Sequence, residues 1–174
     1  VLALGVWLKT ADRTSTPSGV SRTHGTLLPD LPLNEVARIR IVGPDGSVSI
    51  LRGDEGWTVP ERYDYPADYG KVSQLVKQLA NEQIAQAVTV SPENYDRLDL
   101  LPPDSAEGGA KAGTTVELAD GEGNVLATMR LGKKQMAEGG RSPNPMMGRG
   151  EYPKGRYVLL PDTSGKGGQV VVSK

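Results

Sequence analysis

The chain of 174 residues contains no cysteine. That excludes disulfides, thiolate metal sites and a cysteine nucleophile. Phenylalanine is absent as well, and aromatic residues make up only 5%. The core must therefore rest on Val, Leu, Ile and Ala, with Trp57 and the tyrosines as large fillers. The single histidine, His24, lies in a polar stretch. A His-based triad or zinc site would have to be built around it, and a solvated linker histidine is the simpler reading. Net charge is only -1, so no global basic footprint points to nucleic acid. No apolar run approaches the roughly 20 residues that a membrane helix needs.

What the chain does have is punctuation. Its 22 glycines and 13 prolines mark turns between short strands. Residues 1–8, VLALGVWL, read as the remnant of a membrane anchor or signal segment, with Trp7 and Lys9 at the interface. Residues 9–26 are rich in Ser and Thr and have no apolar period, which predicts a linker. A first subdomain is expected over 27–101. Ile39 and Ile41 alternate with Arg38 and Arg40, Pro44-Asp45-Gly46 turns, and Val48 and Ile50 run back. Trp57 and Val59 begin a third strand.

One amphipathic helix follows. Val72, Leu75, Val76 and Leu79 fall at i, i+3, i+4 and i+7, and Asp68 is placed to cap the start. Ile84 to Val90 reads as a returning strand. Ser91-Pro92-Glu93 opens a short second turn of helix. Residues 102–113 form a linker or loop. Residues 114–174 form a β-rich subdomain with a flexible basic loop at 132–150. Its hairpin around Asp120-Gly121 echoes the one around Asp45-Gly46. The expected fold is α+β: short antiparallel hairpins and a meander packed on one main amphipathic helix, with a two-subdomain repeat as an option.

Motifs for chemistry are weak. Asp120, Glu122 and Asn124 alternate as in a calcium loop, but the twelfth position is Leu131 rather than Glu. Gly132-Lys133-Lys134 lacks the glycine-rich lead and hydroxyl of a phosphate loop. Glu61, Asp64 and Asp68 are more simply solvated or capping than paired. No catalytic residue, metal site or cofactor is expected. Charge is the exception. From Arg130 to Arg156 seven cations stand against Glu138 and Glu151, net +5 in a chain of -1. Lys133, Lys134, Arg141, Arg149, Lys154 and Arg156 are therefore the candidate partner-binding residues, with Met136, Met146 and Met147 among them. A solvated loop explains the same charges. Trp57, Tyr63, Tyr65 and Tyr69 are candidate stacking surfaces for a glycan or peptide, against the plainer reading that they close the core.

An ordered series of short motifs carries a resemblance. It comprises Asp45-Gly46, Gly56-Trp57, Tyr65-Pro66-Ala67-Asp68, Lys71-Val72 and Leu75 to Leu79-Ala80. Ser91-Pro92-Glu93 with Tyr95 and Leu98, Asp120-Gly121 through Ala127, and Leu131-Gly132-Lys133 continue it. Over residues 27–172 this resembles the bacterial domain-of-unknown-function family 4340. Against that pattern 143–148 reads as an insertion, and the end at Lys174 falls early. The resemblance implies a membrane-anchored protein on the extracytoplasmic face of the inner membrane, working with gliding-motility-type ABC transporter components. It implies no catalytic residues.

The expectation is thus a non-enzymatic, membrane-tethered accessory domain of an ABC-type transporter or envelope complex. A glycan- or peptide-binding module of the envelope is the alternative. A carboxylate-dependent hydrolase is the weakest, because no acidic pair is spaced to face one cleft.

Overall fold

The computed structural model describes residues 25–105, 108–137, 152–162 and 167–174. The segment 1–8 and nearly all of the linker 9–26 lie outside the described residues, as do Arg141, Arg149, Met146 and Met147. The strands are β1 (Arg38–Gly43), β2 (Gly46–Gly53), β3 (Gly56–Val59), β4 (Tyr65–Pro66) and β5 (Ile84–Val88). After them come β6 (Thr114–Ala119), β7 (Val125–Ala137), β8 (Tyr152–Pro161) and β9 (Gly168–Ser173). One α-helix, α1 (Tyr69–Asn81), separates β4 from β5.

All nine strands form one sheet, in the order β4-β3-β2-β1-β6-β7-β8-β9-β5. Every neighbouring pair is antiparallel. This corrects the expected α+β fold of hairpins gathered on a main helix, and with it the two-subdomain repeat. The sheet organises the molecule, and the helix covers part of one face. The physical reason is the free edge that each hairpin leaves. β1 and β6 pair along those edges, with Ile39 opposite Leu118 and Ile41 opposite Val116. Their backbone groups are satisfied, and their apolar side chains join one layer. Strands from both sides of 102–113 mix in the sheet, since β5 leaves the first stretch to pair with β9 of the second.

The helix itself forms where the stripe predicts. Asp68 Oδ1 accepts from the Lys71 amide at 3.1 Å, which satisfies one orphan donor of the first turn. At the far end Asn81 Nδ2 donates to the Lys77 carbonyl at 2.9 Å. Val72 and Val76 are buried, and Leu79 packs against the same core. α1 runs from the strand at one edge of the sheet to the strand at the other. Its 13 residues span only about 20 Å. Eight strand spacings of about 4.8 Å would measure about 38 Å if flat. The sheet therefore curls over the helix. Trp57 of β3, Ile84 of β5 and Val171 of β9 consequently share one core.

Among the described residues, the opposite face is covered at one end. A 3-10 turn, Pro92–Leu98, lays Tyr95 and the following Leu100 against Leu159 and Val170. Both faces of β9 are thus dry there. Val170 faces this second cluster, Val171 faces the first, and the run Val170-Val171-Val172 is buried throughout. Arg130 pins that cover down, donating to the Leu100 carbonyl (3.2 Å) and to Thr115 Oγ1 (3.3 Å). Burial pushes its guanidinium below the usual range, against the pull of Asp104 and Tyr95. Burial also pushes the Tyr95 phenol up, with Asp162 adding to it and Arg130 opposing.

Candidate functional site: a cation-rimmed groove

The region expected to be a loop from 132 begins as strand, because β7 continues to Ala137. Two bulges shape its course beside β8. The pairing passes from Leu131 opposite Val158 to Lys134 opposite Arg156, so β7 carries one extra residue. It then passes from Gln135 opposite Gly155 to Met136 opposite Pro153, and the extra residue is Lys154 on β8. A bulge shifts the alternation of side chains by one place. Met129, Leu131 and Lys134 consequently line the same groove, although 131 and 134 differ in parity.

Gly132 makes the first bulge possible. It is buried against the end of the Pro92–Leu98 turn, where a Cβ would meet Leu100 Cδ2 at 2.8 Å and run into the Leu98 carbonyl. Gly155 has the same role beside β9, with Val172 Cγ1 at 2.7 Å from the position a Cβ would take. Only glycine lets the backbones approach this closely.

The groove lies between the C-terminal half of α1 and the β7–β8 ends, with a volume of about 680 Å³. Leu27, Met129 and Val158 form its buried floor, and Leu75 and Leu79 of α1 form one wall. Gln78 and Asn81 present amides on that wall. Lys134, Lys154, Arg156 and Lys174 also line it, with Glu82 as the single acid among the described lining residues. Lys134 and Arg156 are direct cross-strand partners. Like charges so placed cost stability, on the order of 0.2–1 kcal/mol. Among the described residues no carboxylate lies within ion-pair distance of these cations; the described ion pair joins Lys111 to Asp96 at 3.0 Å, elsewhere on the surface.

Of the six candidate partner-binding residues, the structure gathers Lys134, Lys154 and Arg156 here. Lys133 is exposed but does not line the groove. Arg141 and Arg149 lie outside the described residues. Lys174 and the apolar floor were not foreseen. The isolated Gly132 inside an alternating run was the available signal for a bulge.

The candidate stacking residues divide. Trp57 is 7% exposed and belongs to the core. Tyr63, Tyr65 and Tyr69 are 101%, 69% and 69% exposed. Tyr63 and Asp64 both adopt left-handed backbone, at φ 57° and 55°. For a non-glycine residue that conformation costs about 1–2 kcal/mol. Tyr63 has no burial to offset it. Tyr63→Gly is therefore expected to stabilise the fold by about 0.5 kcal/mol, after subtracting the extra chain entropy of glycine. Urea denaturation measures this, and a loss of stability would show that the ring makes a contact worth more than the strain.

The remaining acidic candidates serve local structure. Asp120 Oδ1 accepts from the amides of Glu122 (2.9 Å) and Asn124 (2.8 Å), and Oδ2 accepts from Asn124 Nδ2 (2.7 Å). The Asn124 side chain, then these amides, hold the Asp120 carboxyl below its usual range. Its oxygens fasten their own hairpin turn. Glu61 is held low first by its own backbone amide, then by Ser49. Among the described residues, no three His, Cys, Asp or Glu side chains gather as a group able to hold a metal. Also among them, no helix is long and apolar enough to cross a membrane. A second depression, about 530 Å³, follows the outer face of α1 past Tyr69, Ser73, Gln74 and Lys77, without convergent charge.

Residues 57–142 match the family model described as Domain of unknown function (DUF4340). The match supports the resemblance seen in the motifs, over a shorter span than 27–172. It covers the buried Trp57, the helix, the Asp120 hairpin and the Gly132 bulge. Lys134 falls inside it, while Lys154 and Arg156 fall beyond. The family description names no activity, so no residue role comes with it. No curated protein and no solved structure matches the chain.

Proposed function

We propose that this chain is a non-enzymatic docking domain of the bacterial cell envelope, tethered at the extracytoplasmic face of the inner membrane, which engages a subunit of an ABC-type transporter. The observation that carries the docking role is the groove: apolar side chains and three described candidate cations converge beside the helix, where a partner has both burial and charge to gain. The transporter and the membrane tether rest on the motif resemblance and on the apolar sequence of residues 1–8, followed by Lys9.

The test is affinity purification of the tagged full-length gene product from crosslinked, detergent-solubilised membranes. The reading expects the protein in the membrane fraction, with an ABC transporter subunit enriched beside it. A protein found only in soluble fractions, or a membrane preparation without such a subunit, would remove the assignment.

The exposed tyrosines favour a second reading, a glycan-binding surface at the β3–β4 corner. Three rings in water are what stacking on sugars requires. Cosedimentation with purified cell-wall glycan tests it, since Tyr63→Ala with Tyr65→Ala should abolish pelleting. Pelleting unchanged by that double variant would discard this reading.

A further inference from the structure

We infer that the groove takes a protein segment that is apolar at one end and acidic at the other, its carboxylates meeting Lys134, Lys154 and Arg156. This rests on the docking role of the groove proposed above and names the chemistry of its occupant. Three observations point to that chemistry. The register along the strands passes from Leu131 opposite Val158 to Lys134 opposite Arg156, so the partly exposed apolar lining of Leu131, with Leu75 and Leu79 of α1, gives way to cations. From Met129 to Lys134 the strand advances about 14 Å, the length of four or five extended residues. The cross-strand pair Lys134–Arg156 sets two cations side by side, with no described carboxylate between them, and an anion removes that repulsion.

Gln78 and Asn81 edge the groove where it meets the outer face of α1, and although Asn81 Nδ2 already donates to the Lys77 carbonyl, the Gln78 amide and the Asn81 side-chain oxygen favour a peptide over a lipid. An acyl chain would cover them without a hydrogen bond, whereas peptide backbone offers donors and acceptors to both. The chain's own first 24 residues are the wrong sign, carrying Lys9, Arg13 and Arg22 against Asp12. Their charge would add to that of the rim.

Fluorescence anisotropy with a labelled hexapeptide, three leucines followed by three glutamates, tests this on the full 174-residue chain. Binding is expected, at least 10-fold tighter than for the peptide with glutamines in place of the glutamates. It should weaken as salt rises. Lys154→Glu with Arg156→Glu should weaken it at least 10-fold, with an unchanged circular dichroism spectrum. Leu79→Gln should weaken it several-fold through the apolar end. Lys134→Glu separates site from scaffold: it should lower affinity yet raise the denaturation midpoint, because it replaces a like-charge pair by an opposite one. Equal affinity for the glutamine peptide would overturn the proposal. So would capture of phosphatidylglycerol vesicles without peptide binding. Peptide binding only after residues 139–150 are replaced by a short Gly-Ser link would make that segment the natural occupant, and would also overturn it. Failure here with a transporter subunit still copurifying sinks the occupant chemistry alone. Peptide binding without copurification sinks only the choice of partner.

Discussion

Leu118→Ala is expected to destabilise the whole domain by about 2–5 kcal/mol. Leu118 is fully buried, and it faces Ile39, equally buried, across the β1–β6 junction. Truncation leaves a cavity at the one seam where the two Asp-Gly hairpins meet. A domain of this size has roughly 5–15 kcal/mol in total, so the loss is a large share. At about 2–4 °C per kcal/mol, the midpoint should fall by roughly 5–20 °C. The way it falls matters more than the amount. If one sheet runs through both hairpins, Trp57 fluorescence in β3 and the far-UV signal should shift together, in a Trp7→Phe background. A Trp57 transition that stays put while the far-UV signal moves would mean two separable units.

Gly132→Ala is the second large effect. A Cβ there has no room: Leu100 Cδ2 would be 2.8 Å away and the Leu98 carbonyl closer. A carbonyl held by a packed turn does not yield as a flexible side chain does. The backbone of β7 has to move, at about 1–3 kcal/mol by analogy with overpacked cores. Gly121→Ala is the matched control, since its Cβ would meet only Ala37 Cβ at an ordinary 3.9 Å. The bulge also sets which lysine faces the groove. Gly132→Ala should therefore weaken the acidic hexapeptide at least 10-fold at temperatures where the variant remains folded. Intact binding in a destabilised variant would show that the bulge does not place Lys134.

Local patterns in the sequence are legible where a single element decides them. The stripe Val72, Leu75, Val76 and Leu79 yields α1, and Asp68 caps it as its residue type predicts. The Asp45-Gly46 and Asp120-Gly121 turns yield antiparallel hairpins. The architecture was not legible, because it depends on a pairing between residues 38–42 and 115–119, far apart in the chain. Alternation tells a strand that it needs a neighbour without saying which. The full length of β7 is hidden in the sequence for a related reason. Its apolar alternation stops at Leu131, and Gly132-Lys133-Lys134 looks like a loop unless the bulge is recognised. The groove was half legible. The cation excess stands out in the sequence, but only the sheet brings Lys134 beside Arg156, and only the helix gives them an apolar wall. Trp57 and the tyrosines show the limit of composition. One ring fills the core and three stand in water, and nothing in their local sequence separates them.

Site-specific photocrosslinking in native membranes tests the central claim most directly. A photoreactive residue at Leu75 lines the groove alone, and one at Gln74 lies along the outer face of the same helix. The account predicts that Leu75 yields an adduct mapped to an acidic segment of an ABC transporter subunit, while Gln74 yields none. Equal adducts from both positions, or adducts from Leu75 to lipid alone, would contradict it.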